Sequence, residues 1–144
     1  VADGTDITYY QNTSTPSGTF GALSDTDDMM FNSDNELLVG DSGGDMIRAF
    51  TQNGGSAGIV YDPSTFEGSF YVDEQGFLYI PDKSFSGYEL SYYDPESDQT
   101  QWTLELETFG NTISTAAAPI EIAPDGTLYI QARDNDEGIL IYKP

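Results

Sequence analysis

The sequence predicts an all-β fold made of repeated, antiparallel, four-stranded units. Three observations predict it. No stretch of three turns places apolar residues at helical spacing. Short alternating or aromatic-rich runs are bounded instead by Gly, Pro, Asn and Asp, the residues that punctuate strands. Two short patterns also recur along the chain, which is the mark of a repeat architecture.

The first pattern is a turn followed by a short apolar strand. Asn35-Glu36-Leu37-Leu38-Val39 aligns with Gly76-Phe77-Leu78-Tyr79-Ile80 and with Gly126-Thr127-Leu128-Tyr129-Ile130. Turn residues precede each copy, and Asp125-Gly126 is a hairpin signal because Gly supplies the positive φ of a tight turn. The second pattern is an aliphatic residue, two spacers and an aromatic. Ile7 to Tyr10, Ile47 to Phe50, Leu90 to Tyr93 and Ile139 to Tyr142 fit it. The final aromatics at 10, 50, 93 and 142 are 40, 43 and 49 residues apart. Four short strands in each such step is the arithmetic of a β-propeller blade.

On this register 1–144 is a single all-β domain. Residues 1–28 supply half a blade through strands at Asp6–Tyr10 and Thr19–Leu23. Blades then occupy approximately 29–66, 67–110 and 111–144. The best-formed one has strands at Ser69–Asp73, Phe77–Pro81, Glu89–Asp94 and Gln101–Leu106. Pro81 is expected to end its strand, since proline cannot serve a central ladder. Trp102, Leu104 and Leu106 alternate onto one face. Closed propellers have roughly four to eight blades, so this count implies a partial ring. A longer polypeptide or further chains would complete it, and Asp3–Tyr10 is a candidate donated strand. A β-sandwich is the alternative that the strand count permits.

The stretch running from Gly76, Leu78, Tyr79 and Ile80 through Leu90 and Asp94 to Trp102 resembles a blade of the quinoprotein-like propellers. The segment from Ala123 to Pro144 is similar to the first part of a further blade, and also to lactonase-like and NHL-type propellers. The resemblance covers about two-thirds of the chain. It implies a fold and no activity, because blade repeats host many functions. Members that hold a quinone need a basic and aromatic pocket, which four basic residues do not supply here.

Charge narrows the partners. Twenty-five Asp and Glu face Arg48, Lys83, Arg133 and Lys143, for a net charge of −21. Such a surface repels phosphate and anionic lipid, so neither nucleic acid nor a membrane surface is an expected partner. Basic proteins, neutral glycans and cations are. Salt screens the self-repulsion, so the composition suits a saline, halophilic setting. Apolar runs are too short to span a bilayer. The chain opens at Val1 and reads as a mature or excised segment of an exported prokaryotic protein, extracellular or periplasmic.

There is no Cys and no His, which removes thiol nucleophiles, Cys–His zinc sites and the Ser–His–Asp triad. No catalytic residue and no cofactor-binding residue emerges. The connections between second and third strands carry Asp41, Asp45, Asp82, Asp134 and Asp136. Carboxylates converging from them would suit Ca²⁺, which takes oxygen ligands in irregular geometry. The plainer reading is a set of acidic hairpin turns, and Asp25-Thr26-Asp27-Asp28 reads likewise as a solvated loop. Tyr9, Tyr10, Tyr92 and Tyr93 could stack on sugars. The competing expectation is that one ring of each pair turns inward and its neighbour covers the outer face.

The functional expectation is a non-enzymatic, exported scaffold or binding module of propeller type that presents an acidic face. One alternative is a structural subunit of an extracellular assembly, completed by strand or blade exchange. Another is a fragment of a quinoprotein-like or lactonase-like enzyme with a bound calcium.

Overall fold

The structure, a computed structural model, describes residues 6–9, 17–66, 68–84, 87–105, 120–132 and 138–143. These residues form thirteen strands and one short 3-10 turn, with no α-helix among them. No helix of the described residues is long and apolar enough to cross a membrane. The chain divides into two compact units, Val1–Gly68 and Ser69–Pro144.

The first unit holds a hairpin and a meander. Strands β1 (Ile7–Tyr9) and β2 (Gly18–Phe20) pair antiparallel. Strands β3 (Thr26–Phe31), β4 (Leu37–Asp41), β5 (Met46–Phe50) and β6 (Ser56–Tyr61) form a four-stranded sheet in chain order. The second unit holds a second such sheet, from β7 (Tyr71–Val72), β8 (Leu78–Ser84), β9 (Gly87–Asp94) and β10 (Gln99–Glu105). A three-stranded sheet of β11 (Ile120–Ile122), β12 (Leu128–Ala132) and β13 (Gly138–Tyr142) follows.

One turn geometry builds these meanders. At Asn32, Asp73 and Ala123 the backbone N–H donates to the carbonyl four residues on, and the residue three on donates back. That is a three-residue hairpin loop closed by a left-handed residue. Asn35, Gly76 and Gly126 supply it, at φ 60, 88 and 82. A fourth copy spans Thr51 to Gly55 between β5 and β6, with Gly54 at φ 78. Side chains reinforce the copies: Asn32 accepts from Asp34 and Glu36 N–H, Asp73 from Gln75 and Phe77 N–H, Thr51 from Gly55 N–H and Asp125 from Thr127 N–H.

The two sequence patterns meet across one ladder. Leu37 pairs with Phe50, Leu78 with Tyr93 and Leu128 with Tyr142. The aligned Val39, Ile80 and Ile130 are all buried. Each sheet therefore has a leucine face, carrying these pairs, and an opposite face. In an aliphatic–x–x–aromatic unit the two ends fall on opposite faces, because three residues is an odd step along a strand. Both faces are consequently apolar.

They stack in one sense. In the second unit the opposite face of the β7–β10 sheet, through Tyr71, Tyr79, Leu90 and Leu104, meets the leucine face of the β11–β13 sheet at Ile120, Leu128 and Ile130. In the first unit Ile7 and Phe20 of the hairpin meet the leucine face of the β3–β6 sheet at Leu37, Val39 and Phe50. Ile7 aligns with Leu90, so both stacks use the same two faces. In the second unit the stacking stops at an uncovered face. Tyr129, Ile139 and Ile141, on the opposite face of the last sheet, are 38%, 64% and 57% exposed, whereas Leu90 on that face of the preceding sheet is 0% exposed.

Four expectations need correction. β8 runs through Pro81 to Ser84, with Pro81 opposite Leu90. β7 pairs with β8 only at Tyr79 and Leu78, so at Pro81 the strand has a single neighbour and tolerates the missing N–H. Asp25–Asp28 is not a loop: Thr26 to Phe31 is a strand on β4, and it crosses the expected boundary at 28 and 29. Its acidic side chains are accommodated because it is an edge strand. The second strand of the opening hairpin spans Gly18–Phe20 rather than Thr19–Leu23, and Gly21, at φ 112, breaks the ladder. Finally, Asp41 and Asp82 belong to strands rather than to their connections.

The stacking predicts a contrast between the faces of β12 and β13. Ile130→Ala should cost about 2–5 kcal/mol by denaturant unfolding, as buried aliphatic truncations do. Ile141→Ser on the uncovered face should stay within about 0.5 kcal/mol of the parent.

Candidate functional site

The β7–β10 sheet carries a row of rings. Tyr71 pairs with Tyr79, Tyr79 with Tyr92, and Tyr92 with Trp102, directly across all four strands. Tyr92 stacks on Trp102 at 5.1 Å and on Phe77 at 4.9 Å, with near-parallel planes. Tyr71 meets Tyr79 edge to face at 6.3 Å. Offset and edge contacts of this kind stabilise a sheet beyond the area they bury. Tyr93 is buried on the other face and donates its hydroxyl to Asp98 at 2.5 Å. The two tyrosines of the pair thus divide between the faces.

The inner end of the row opens into a groove of about 500 Å³. It lies between two equivalent turns, β7–β8 and β11–β12. Tyr71, Tyr79, Asp73 and Glu74 line it from one sheet, and Ile122 and Pro124 from the next. Asp73 links turn to row: one oxygen accepts the Gln75 and Phe77 N–H groups, and the other accepts the Tyr92 hydroxyl at 3.1 Å.

The phenols here resist ionisation. Burial raises Tyr71 above the ordinary tyrosine value, and the carboxylates of Glu121, Asp73 and Glu74 raise it further. Burial and then Asp73 raise Tyr79, against a smaller opposing effect of the Tyr92 hydroxyl. Burial, followed by the charge of Asp73 and the hydrogen bond to it, raises Tyr92 furthest. At the turn on the far side, Asp125 is held low by its hydrogen bonds with Thr127, and Lys143 adds to this.

The acidic residues singled out as metal ligands have other work where they are described. Asp41 is fully buried, and its Oδ1 accepts the Ser24 and Asp25 N–H groups at 2.8 and 2.9 Å. Its Oδ2 faces Arg48 Nε at 3.6 Å, an ion pair too long to be a hydrogen bond. Asp45 stands in the left-handed region at φ 53, and its side chain accepts the Phe66 N–H at 3.1 Å. Asp82, equivalent to Asp41, lies opposite Glu89 in the β8–β9 ladder, and only its backbone is described. Asp134 and Asp136 lie outside the described residues. Among the described residues no three carboxylates gather closely enough to hold a metal ion.

Sequence reasoning did not find the groove. Tyr71, Asp73, Glu74 and Tyr79 read as ordinary strand and turn residues. Their convergence depends on ladder register, which sets Tyr71 opposite Tyr79. The one available signal was the density of aromatics between 70 and 102.

No family model and no curated protein matches this chain. Among solved structures it is similar to a protein of unknown function from Bacteroides caccae, at a TM-score of 0.55 and 16% identity over 72% of this chain. The chain covers 37% of that protein's length. The likeness is one of fold alone.

Two outcomes are expected. A phenol whose folded pKa is raised stabilises the fold fully below the unfolded value near 10 and loses that contribution as pH rises through the folded value. Phenolate absorbance should therefore show a late-titrating class together with loss of stability above about pH 10, and Tyr92→Phe should shrink that class. Asp41→Ala should cost about 3 kcal/mol by denaturant unfolding, because it strands two N–H donors and Arg48. The cost should be equal in calcium and in chelator.

Proposed function

We propose that this chain is part of a non-enzymatic, propeller-type binding module that works outside the cytoplasm and presents an acidic face. The observation that carries the reading is that two units stack sheets through the same pair of faces, with the same leucine–aromatic ladder. Repeated head-to-tail stacking of four-stranded meanders is how propeller blades associate. The net charge of −21 supports cationic or neutral partners over anionic ones. The resemblance to quinoprotein-like and lactonase-like blades supports the same architecture and carries no activity with it.

The uncovered face of the last sheet favours a second, compatible reading, a subunit completed by another sheet. Tyr129 and Ile139 occupy the positions that Tyr79 and Leu90 fill in the preceding sheet, where the next sheet packs on them, and Ile141 stands beside them. A head-to-tail contact that does not close on itself needs a further partner.

Light scattering across salt concentrations tests this. At low salt the charge should keep the chain dispersed. At molar salt, where screening acts within about 3 Å, apolar self-association should appear. Ile139→Lys with Ile141→Lys should abolish the association while leaving the thermal midpoint unchanged. A chain that stays monomeric at every salt concentration sinks the completion reading. A solved structure whose stacked sheets do not turn about a common axis sinks the propeller.

A further inference from the structure

We infer that the groove between the β7–β8 and β11–β12 turns binds an organic monocation: an ammonium or guanidinium head on an apolar stem, of the size of a lysine or arginine side chain. This deepens the binding-module reading by naming a ligand class. Both walls belong to the second unit, so the site does not depend on a closed ring.

The wall chemistry selects the head group. Tyr71 and Tyr79 meet edge to face at an interplanar angle of 72°, and both line the groove. Asp73 and Glu74 stand beside them, and Glu121 acts on the Tyr71 hydroxyl. Among the described residues no Lys or Arg lines the groove. A cation beside an aromatic face and a carboxylate gains from the ring quadrupole and from a charge-assisted hydrogen bond. An anion meets the repulsion of Asp73 and Glu74 there.

The other features narrow the size and the type. About 500 Å³ lies within the range of small-ligand sites, roughly 300–1,000 Å³. Ile122 and Pro124 offer apolar surface to a stem. A hard metal ion suits the place poorly, since it wants several converging oxygens and no three carboxylates gather among the described residues. Asp73 already accepts three hydrogen bonds, so Glu74, which lines the groove and is exposed, is the carboxylate free to answer a ligand. The same negative field that opposes a phenolate at Tyr71 favours a positive charge there.

The test is an NMR titration of the whole chain with N-acetyl-arginine amide, N-acetyl-lysine amide and the neutral isostere N-acetyl-citrulline amide. Saturable binding of the two cations, with the shifts centred on Tyr71 and Tyr79, is expected. Citrulline amide should bind at least about tenfold more weakly, the scale of one lost charged contact. Glu74→Gln should weaken the cations several-fold without moving the thermal midpoint. A short peptide with one central Arg identifies the source: much tighter binding indicates a basic protein partner, and equal binding indicates free amines, both of which support the site. Equal binding of citrulline amide would overturn it. So would shifts scattered over the acidic surface and unaffected by Glu74→Gln, because they would mark diffuse counterions. Ile139→Lys with Ile141→Lys should leave this titration unchanged, which separates failure of the site from failure of the completed-sheet reading.

Discussion

A four-stranded sheet with two apolar faces cannot stand alone in water, and every larger feature of this protein follows from that. The aliphatic–x–x–aromatic unit makes both faces apolar at once. Its first residue looks one way and its fourth the other, as Leu90 and Tyr93 do in β9. Each unit packs one of these faces on a neighbouring sheet. Ile7 in the opening hairpin and Leu90 in the second unit do the same job against different sheets. The stack has a direction, and a directional stack ends on an apolar face.

The turns hold this arrangement in register. Asn35, Gly76 and Gly126 close loops of the same kind, so Leu37, Leu78 and Leu128 enter their strands at equivalent heights. Buried polar groups then stitch strand ends to neighbouring segments. Asp41 ties β4 to the backbone ahead of β3, and Asp45 holds the chain at Phe66. Asp73 serves both a turn and the tyrosine row. Acidity is therefore of two kinds here: a few carboxylates are structural acceptors, and the rest make a negative surface that four basic residues cannot neutralise. The groove lies where the two kinds meet, with Asp73 committed to the fold and Glu74 exposed beside it.

Much of the fold was legible because it is written locally. Alternation, turn residues and a step of 40 to 49 residues are short-range signals, and they give all-β meanders and the aligned core positions. The errors share one cause. By residue type, Pro81 reads as a strand end, Asp25–Asp28 as a solvated loop and Asp41 as part of an acidic turn. Each residue's actual role depends on what lies beside its strand. Pro81 has one ladder neighbour, Asp27 and Asp28 sit on an edge strand, and Asp41 meets two backbone donors from a segment 16 and 17 residues away.

By itself, the sequence determined that this chain forms repeated antiparallel sheets, that Val39, Ile80 and Ile130 hold equivalent places in a recurring apolar strand, and that its composition is strongly acidic. These follow from periodicity and composition, which need no knowledge of distant contacts. The tertiary structure alone decided that Tyr71, Tyr79, Tyr92 and Trp102 stand in one line, that a groove opens beside two of them, and that Tyr129, Ile139 and Ile141 are left bare. The physical reason is register: side chains alternate along a strand, so one residue of slip or one irregular pairing changes which groups share a face, and only the assembled ladders fix it.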